Sequence, residues 1–185
     1  HLARAALCIA KGLDFHLAHQ YKNEPELLLN LLCYGPIEKG RDASHGGVDF
    51  YNMCCDGAGL AVVADSFAAL QTQIVERKRI TWQECIEAVR NDFRNENGEL
   101  IRCLLASSPR FGHGGTCADE WAVTLTHDFV DAFPDDRHTP AGRLMIPGLF
   151  SWADTLRFGK TVGATPNGRR AGEPSSHLGR TGRSV

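Results

Sequence analysis

A helix-rich α/β fold is predicted for this chain of 185 residues on three observations. Residues 48–55 (Val-Asp-Phe-Tyr-Asn-Met-Cys-Cys) form a short run of strand formers, the length of a buried strand. The glycine turn Asp56-Gly57-Ala58-Gly59 then leads directly into a helical pattern over 60–77, giving the strand–turn–helix half-unit of a barrel or layered sheet. After three more helical stretches, residues 143–150 resume apolar strand character around Pro147-Gly148.

Each element has its own local reason. Residues 2–21 read as a helix, because Leu2, Ala5, Ala6, Cys8, Ile9, Leu13, Leu17 and Tyr21 are spaced for one face. Asn23-Glu24-Pro25 interrupts it, and Pro25 suits the first turn of a second helix over 26–34. Leu27, Leu28, Leu29, Leu31 and Leu32 leave that helix little polar face, so it is expected to be buried. Residues 35–42 make a break, a short turn and another break. In the helix over 60–77, Leu60, Val63, Ala64, Phe67, Leu70 and Ile74 form the apolar face. Thr81 and Glu84 make a capping box that starts a helix running to Phe93. A helix over 99–106 stops at Ser107-Ser108-Pro109, and residues 110–115 read as a flexible loop. The stretch 119–133 is a helix with Trp121, Leu125, Phe129, Val130 and Phe133 toward the core. Residues 151–158 fit either helix or strand.

Composition narrows the function classes. With 43% hydrophobic and 23% charged residues and a net charge of −2, nothing points to nucleic acid or an anionic membrane as a partner. No apolar run approaches the roughly 20 residues of a membrane span. The seven cysteines are an odd set with no C-x-x-C, which argues against a disulfide framework, a zinc ribbon or a thioredoxin-like motif. Free thiols on apolar faces suit a reducing cytoplasm, the compartment expected here. The chain opens on His1 with the helical pattern already under way at Leu2, and it is expected to be a fragment.

Candidate sites are few. His16 and His19 are three apart on the first helix, but no third metal ligand lies near them in sequence, and no metal site is expected. Asp56-Gly57-Ala58-Gly59 precedes a helix, yet it lacks the spacing of a phosphate loop, and Asp56 would repel an anion. The densest feature is 163–174, Gly-Ala-Thr-Pro-Asn-Gly-Arg-Arg-Ala-Gly-Glu-Pro. Pro166 fixes one corner, Asn167-Gly168 suits positive φ, and two adjacent arginines sit on the stiffened loop.

That loop resembles the Gly-x-Thr-Pro-[Asp/Asn]-Gly-Arg-[Arg/Lys]-Ala-Gly-x-Pro segment of the glycyl radical enzymes, the pyruvate formate-lyase and diol-dehydratase family. Other blocks occur in the family's order. Ile37-Glu38-Lys39-Gly40-Arg41-Asp42 with Gly46-Gly47 is similar to its Ile-Glu-Lys-Gly-[Arg/Lys]-Asp…Gly-Gly segment. Tyr51-Asn52 and residues 57–70, including Ala64-Asp65-Ser66-Phe67, are similar to its strand–turn–helix ending in Ala-Asp-Ser-[Leu/Phe]-x-Ala. Ser108-Pro109-Arg110-Phe111-Gly112 resembles [Ala/Ser]-Pro-x-[Tyr/Phe]-Gly, although the acidic run that often follows is here His113-Gly114-Gly115. The resemblance spans residues 27–174.

The resemblance implies that residues 1–174 are part of a ten-stranded α/β barrel made of two antiparallel five-stranded halves. It implies radical lyase or dehydratase chemistry on a small-molecule substrate, or acyl transfer of the formate acetyltransferase type. It also implies a glycyl radical installed by an activating enzyme with an iron–sulfur cluster and S-adenosylmethionine, and a homodimer at full length. The family's thiyl cysteine sits in a Gly-Cys-Val-like loop and its radical glycine in an Arg-Val-x-Gly loop. Neither motif occurs in this sequence, so no catalytic residue is assigned and both are expected beyond it. Cys54-Cys55 is not the family's catalytic pair, because it precedes Asp-Gly-Ala-Gly-Leu, and it is expected to be a packed strand end. Asn52, Cys55, Trp152 and Phe158 are the candidate substrate contacts near strand ends. Phe158 stands where related sequences often carry Tyr. Thr165, Pro166 and Gly168 are expected to shape the loop, and Arg169 and Arg170 to pair with carboxylates or backbone carbonyls elsewhere in the barrel. Residues 175–185 depart from the family and are expected to be a disordered tail or a coding sequence that leaves the family's frame. The other readings are a catalytically silent binding or assembly module and an anion-binding α/β domain.

Overall fold

The computed structural model describes residues 1–149 and 155–175. These sort into two compact units, one comprising His1–Asp56 and Phe129–Gly148, the other Gly57–Asp128 and Leu149–Val185 as far as it is described.

In the first unit, α1 (Leu2–Asn23) buries Ala6, Ala10 and Leu17, with Leu13 packed beside them. The spacing of four, three and four is one clean helical stripe. It is narrower than the predicted face: Leu2 and Ile9 are exposed, because the neighbours line up with the alanines. α2 (Leu27–Leu32) contradicts its prediction outright, since none of its residues is buried. Asn30 is the reason. Its side chain is bonded to Asp42 and Ala43, which turns the helix's one polar residue inward and the leucines out. α3 (Pro36–Lys39) begins with Pro at its first position, and the single 3₁₀ turn Ala43–His45 is capped by the Asp42 carboxylate. Gly47 is required there, as a Cβ would collide with the Arg41 and Asp42 backbone.

β1 (Met53–Gly57) lies later in sequence than the predicted 48–55. The Gly46-Gly47 turn continues through Asp49, which Lys39 holds at 2.7 Å, so the extended backbone starts after Asn52. β1 pairs with β2 (Met145–Leu149) in a two-stranded sheet. Cys55 and Met145 face a core completed by Ala6, Ala10 and Phe133, with Phe129 edge-on to Phe133.

The second unit is helical. α4 (Leu60–Leu70) starts from Gly59 at φ +90°, a conformation that favours glycine. Its buried face is Ala61, Val62, Ala64, Asp65, Ser66, Ala68 and Ala69; of the predicted face Ala64 and, beyond the helix, Ile74 are buried and Leu70 packs on the core, while Val63 and Phe67 are exposed. Alanines permit close approach of neighbouring backbone, so volume alone misled the prediction. The helix does not run regularly to Arg77: over Gln71–Glu76 it widens into a π-turn, closed by Arg77 N–H donating to Thr72 O at 3.0 Å. α5 (Trp82–Arg90) has the predicted capping box, with Thr81 and Glu84 bonding reciprocally. α6 (Gly98–Ala106) packs on it around Cys85, Ala88, Phe93, Ile101 and Leu105. α7 (Cys117–Asp131) begins two residues before prediction because Thr116 and Asp119 cap it, Asp119 accepting the Thr116 N–H at 3.0 Å. α8 (Thr155–Thr161) resolves the ambiguity of 151–158 toward helix for its described part. Among the described residues no helix is long and apolar enough to cross a membrane.

Candidate functional site

The candidate contacts on the strand occupy unlike environments. Asn52 is exposed just before β1. Cys55 is 6% exposed and packed in the first unit's core, where burial, and secondarily the charge of Asp56, push its thiol pKa up. Cys54 is exposed. Successive side chains on a strand point to opposite faces, so the adjacent thiols do not act as a pair. Asp56 reaches toward Gly148, where an added Cβ would stand 2.8 Å from Oδ1; glycine leaves the carboxylate its room. Phe158 belongs to the second unit, on α8, and is 42% exposed. Trp152 lies outside the described residues. His19 Nδ1 sits 2.8 Å from the Phe15 carbonyl one turn back, a purely local contact. Among the described residues no three His, Cys, Asp or Glu side chains converge as a metal site.

A densely bonded polar cluster lies in the second unit and involves residues far apart in sequence. Asp65 on α4 is almost fully buried. Its Oδ2 faces Arg110 Nη1 at 3.1 Å and its Oδ1 accepts the Phe111 N–H at 2.8 Å. Arg110 Nη2 donates to Ala106 O at 3.0 Å and to Asn167 O at 2.8 Å. One guanidinium thus ties α4, the end of α6 and the loop 163–174 together. The segment 110–115, predicted flexible, is also held at Gly112, whose N–H donates to Asp119 at 2.8 Å. Beside it, Gln73 on the π-turn is fully buried and donates to Ser108 Oγ at 3.0 Å.

The loop itself is built from its own side chains. Asn167 Oδ1 accepts from Thr165 Oγ1 at 2.7 Å and from Arg169 N–H at 3.2 Å, while Thr165 N–H donates to Arg169 O at 2.9 Å. Gly168 has φ +85°, and a Cβ there would stand 3.0 Å from both the Ala106 Cβ and the Arg102 carbonyl. Both conformation and space therefore demand glycine. Arg169 is 7% exposed and bonds carbonyls only: Glu173 O at 2.6 Å, Val162 O at 3.1 Å, and Gly163 O. Burial pulls its pKa below the ordinary arginine value, against the opposing charges of Glu173 and Asp92. Arg170 reaches outward, to Asp92 O at 2.9 Å and Glu99 Oε2 at 2.6 Å. Glu99 also receives Arg102, and hydrogen bonding from Arg102 leads the causes that hold its pKa down at about 2. Arg170 finds its carbonyl and carboxylate on distant residues as expected, whereas Arg169 binds carbonyls of its own loop and of the adjoining Val162 rather than of other elements. Asp65 and Gln73 escaped sequence reasoning, since a polar residue inside a helical pattern is ordinarily read as solvent-facing.

The fold is similar to that of known enzymes. The glycerol-bound B12-independent glycerol dehydratase of Clostridium butyricum superposes with a TM-score of 0.72 at 28% identity, over 86% of this chain and 20% of that one. In sequence, trans-4-hydroxy-L-proline dehydratase of Clostridioides difficile is 26% identical over 159 residues, 84% of this chain and 19% of the relative. Isethionate sulfite-lyase of Oleidesulfovibrio alaskensis is 34% identical over 119 residues, 64% of this chain and 14% of the relative. The family model for pyruvate formate lyase-like proteins matches residues 1–159, and the chain belongs to that family of glycyl radical enzymes. It spans about a fifth or less of the length of these relatives.

Proposed function

We propose that this chain is a portion of the ten-stranded barrel of a glycyl radical enzyme that cleaves a carbon–carbon or carbon–heteroatom bond in a small molecule. The observation that carries the reading is the family match across residues 1–159. The dehydratase and sulfite-lyase names of the relatives favour carbon–oxygen or carbon–sulfur cleavage, and acyl transfer of the formate acetyltransferase type is the alternative within the family. Two relatives are named for hydroxylated substrates, glycerol and hydroxyproline, so a hydroxylated compound is the substrate class we favour.

The protein radical supplies hydrogen abstraction from the substrate. The residues of this chain contribute walls and bracing. In the first unit Asn52 offers an amide that both donates and accepts; separately, in the second, Phe158 offers an apolar face of the kind that excludes water, as radical chemistry requires. Trp152, outside the described residues, is a further proposed contact, and Cys55, packed in the first unit's core, is proposed only as support behind the surface. The radical-bearing cysteine and glycine are proposed to lie in polypeptide beyond these 185 residues, which makes this chain inactive alone. The proposed partners are a radical-activating enzyme using S-adenosylmethionine and an iron–sulfur cluster, and a second subunit of the same protein.

The test is anaerobic expression of the whole reading frame with its activating enzyme, followed by electron paramagnetic resonance. An organic radical signal lost on exposure to oxygen is expected, together with turnover of glycerol, trans-4-hydroxy-L-proline or isethionate. A reading frame that lacks either the Gly-Cys-Val-like or the Arg-Val-x-Gly loop, or a fully activated sample without the signal, would sink the proposal in favour of a silent binding module.

A further inference from the structure

α2 is built inside out. Of its six residues only Asn30 is polar, and it is the one locked inward, donating to Asp42 Oδ2 at 2.7 Å and accepting the Ala43 N–H at 2.7 Å. Asp42 Oδ2 also takes the Glu26 N–H at 2.8 Å, immediately before the helix begins. Together these bonds fix the rotation of the helix about its axis. Leu27, Leu28, Leu31 and Leu32 form two i, i+4 pairs and hence one stripe, and each is 69–74% exposed. A single exposed leucine is ordinary, but four in one stripe on a helix that cannot roll them inward mark a contact surface.

We infer that this stripe is a docking seam for polypeptide of the same protein beyond residues 1–185, carrying an apolar face of its own. The inference rests on the proposed membership in a longer enzyme. The family match runs through α2, while the relatives named above are more than four times as long as this chain. A second copy fits less well. Six residues fall far short of the ~800 Å² per partner that a stable dimer buries. A continuous chain, by contrast, meets the seam at high effective concentration.

Hydroxyl-radical footprinting of the whole protein tests this without any substitution, using the same protein unfolded in denaturant as the full-labelling reference. At two protein concentrations a hundredfold apart, Leu27, Leu28, Leu31 and Leu32 are expected to label at least about fivefold less than the reference in both. Labelling close to the reference overturns the inference. So does protection that disappears on dilution, which assigns the stripe to a second copy. The outcome is separable from the activity reading: protected leucines in a radical-free protein remove the proposed chemistry and leave the seam, while a radical signal with labelled leucines does the reverse.

Discussion

Arg110 and Asp65, 45 residues apart, meet at 3.1 Å with side chains 19% and 3% exposed. The pair is not isolated. The same carboxylate accepts the Phe111 N–H, and the same guanidinium holds carbonyls of α6 and of the loop 163–174. Charges withdrawn from water are tolerated when they find partners, and here each Asp65 oxygen accepts a bond and Arg110 donates through both terminal nitrogens.

Removing either partner should therefore destabilise the protein. Asp65→Ala leaves Arg110 Nη1 and the Phe111 N–H without the carboxylate that accepts them and is expected to cost about 3 kcal/mol. Arg110→Ala should cost somewhat less, since its side chain is partly solvated. In a double-mutant cycle by urea unfolding, the coupling should be at least about 1 kcal/mol. Single costs below about 0.5 kcal/mol would show that the pair is ornamental.

Arg169 makes a different prediction. It neutralises no carboxylate; it satisfies three carbonyls that the sharp loop leaves pointing inward. Arg169→Ala should lower stability by about 2–4 kcal/mol while leaving the ratio of kcat/KM between two substrates within about twofold. Arg169→Lys should recover little, because one ammonium does not reproduce the planar fork. Thermal unfolding and paired substrate kinetics on the full enzyme decide it. A changed substrate ratio with intact stability would move Arg169 from bracing to recognition.

These two arginines also show what was legible in the sequence. The loop's turn chemistry could be read directly, because Pro166, Asn167 and Gly168 act on their own backbone. The Thr81–Glu84 capping box and the existence of every long helix were legible for the same reason. The partners of Arg110 and Arg170 were not, being set by tertiary contacts with α4 and with Asp92 and Glu99. The α4 face was misread because small alanines and a buried Asp65 line it. The leucines of α2 were misread because a single asparagine, bonded to Asp42, overrides their hydrophobicity in setting the helix's orientation.

Glu99 predicts a pH dependence. Bonds from Arg102 and Arg170 hold its pKa near 2, below the ordinary value of 4.5. The folded state thus binds this proton less tightly than the unfolded chain. Its contribution to stability is complete above about pH 4.5 and is lost as pH falls toward 2. The side chain is more than half exposed, so the effect is small and weakens with salt. Glu99→Gln should flatten the stability–pH slope between about pH 4.5 and 2 and leave the slope above pH 5 unchanged. An identical acid limb in both proteins would refute the assignment.

The adjacent cysteines separate by reactivity. Cys54 is exposed and Cys55 is sealed in the core, where burial disfavours its thiolate. The thiolate is the reactive form, so both access and ionisation act against Cys55. Iodoacetamide at pH 8 should alkylate Cys54 at least about tenfold faster than Cys55 in the folded chain, and at similar rates in denaturant. Peptide mapping by mass spectrometry distinguishes the two sites. Comparable rates in the folded chain would mean that β1 opens on the reaction timescale, and that Cys55 can reach solvent from a position the packing of Ala6, Ala10, Phe133 and Met145 otherwise closes.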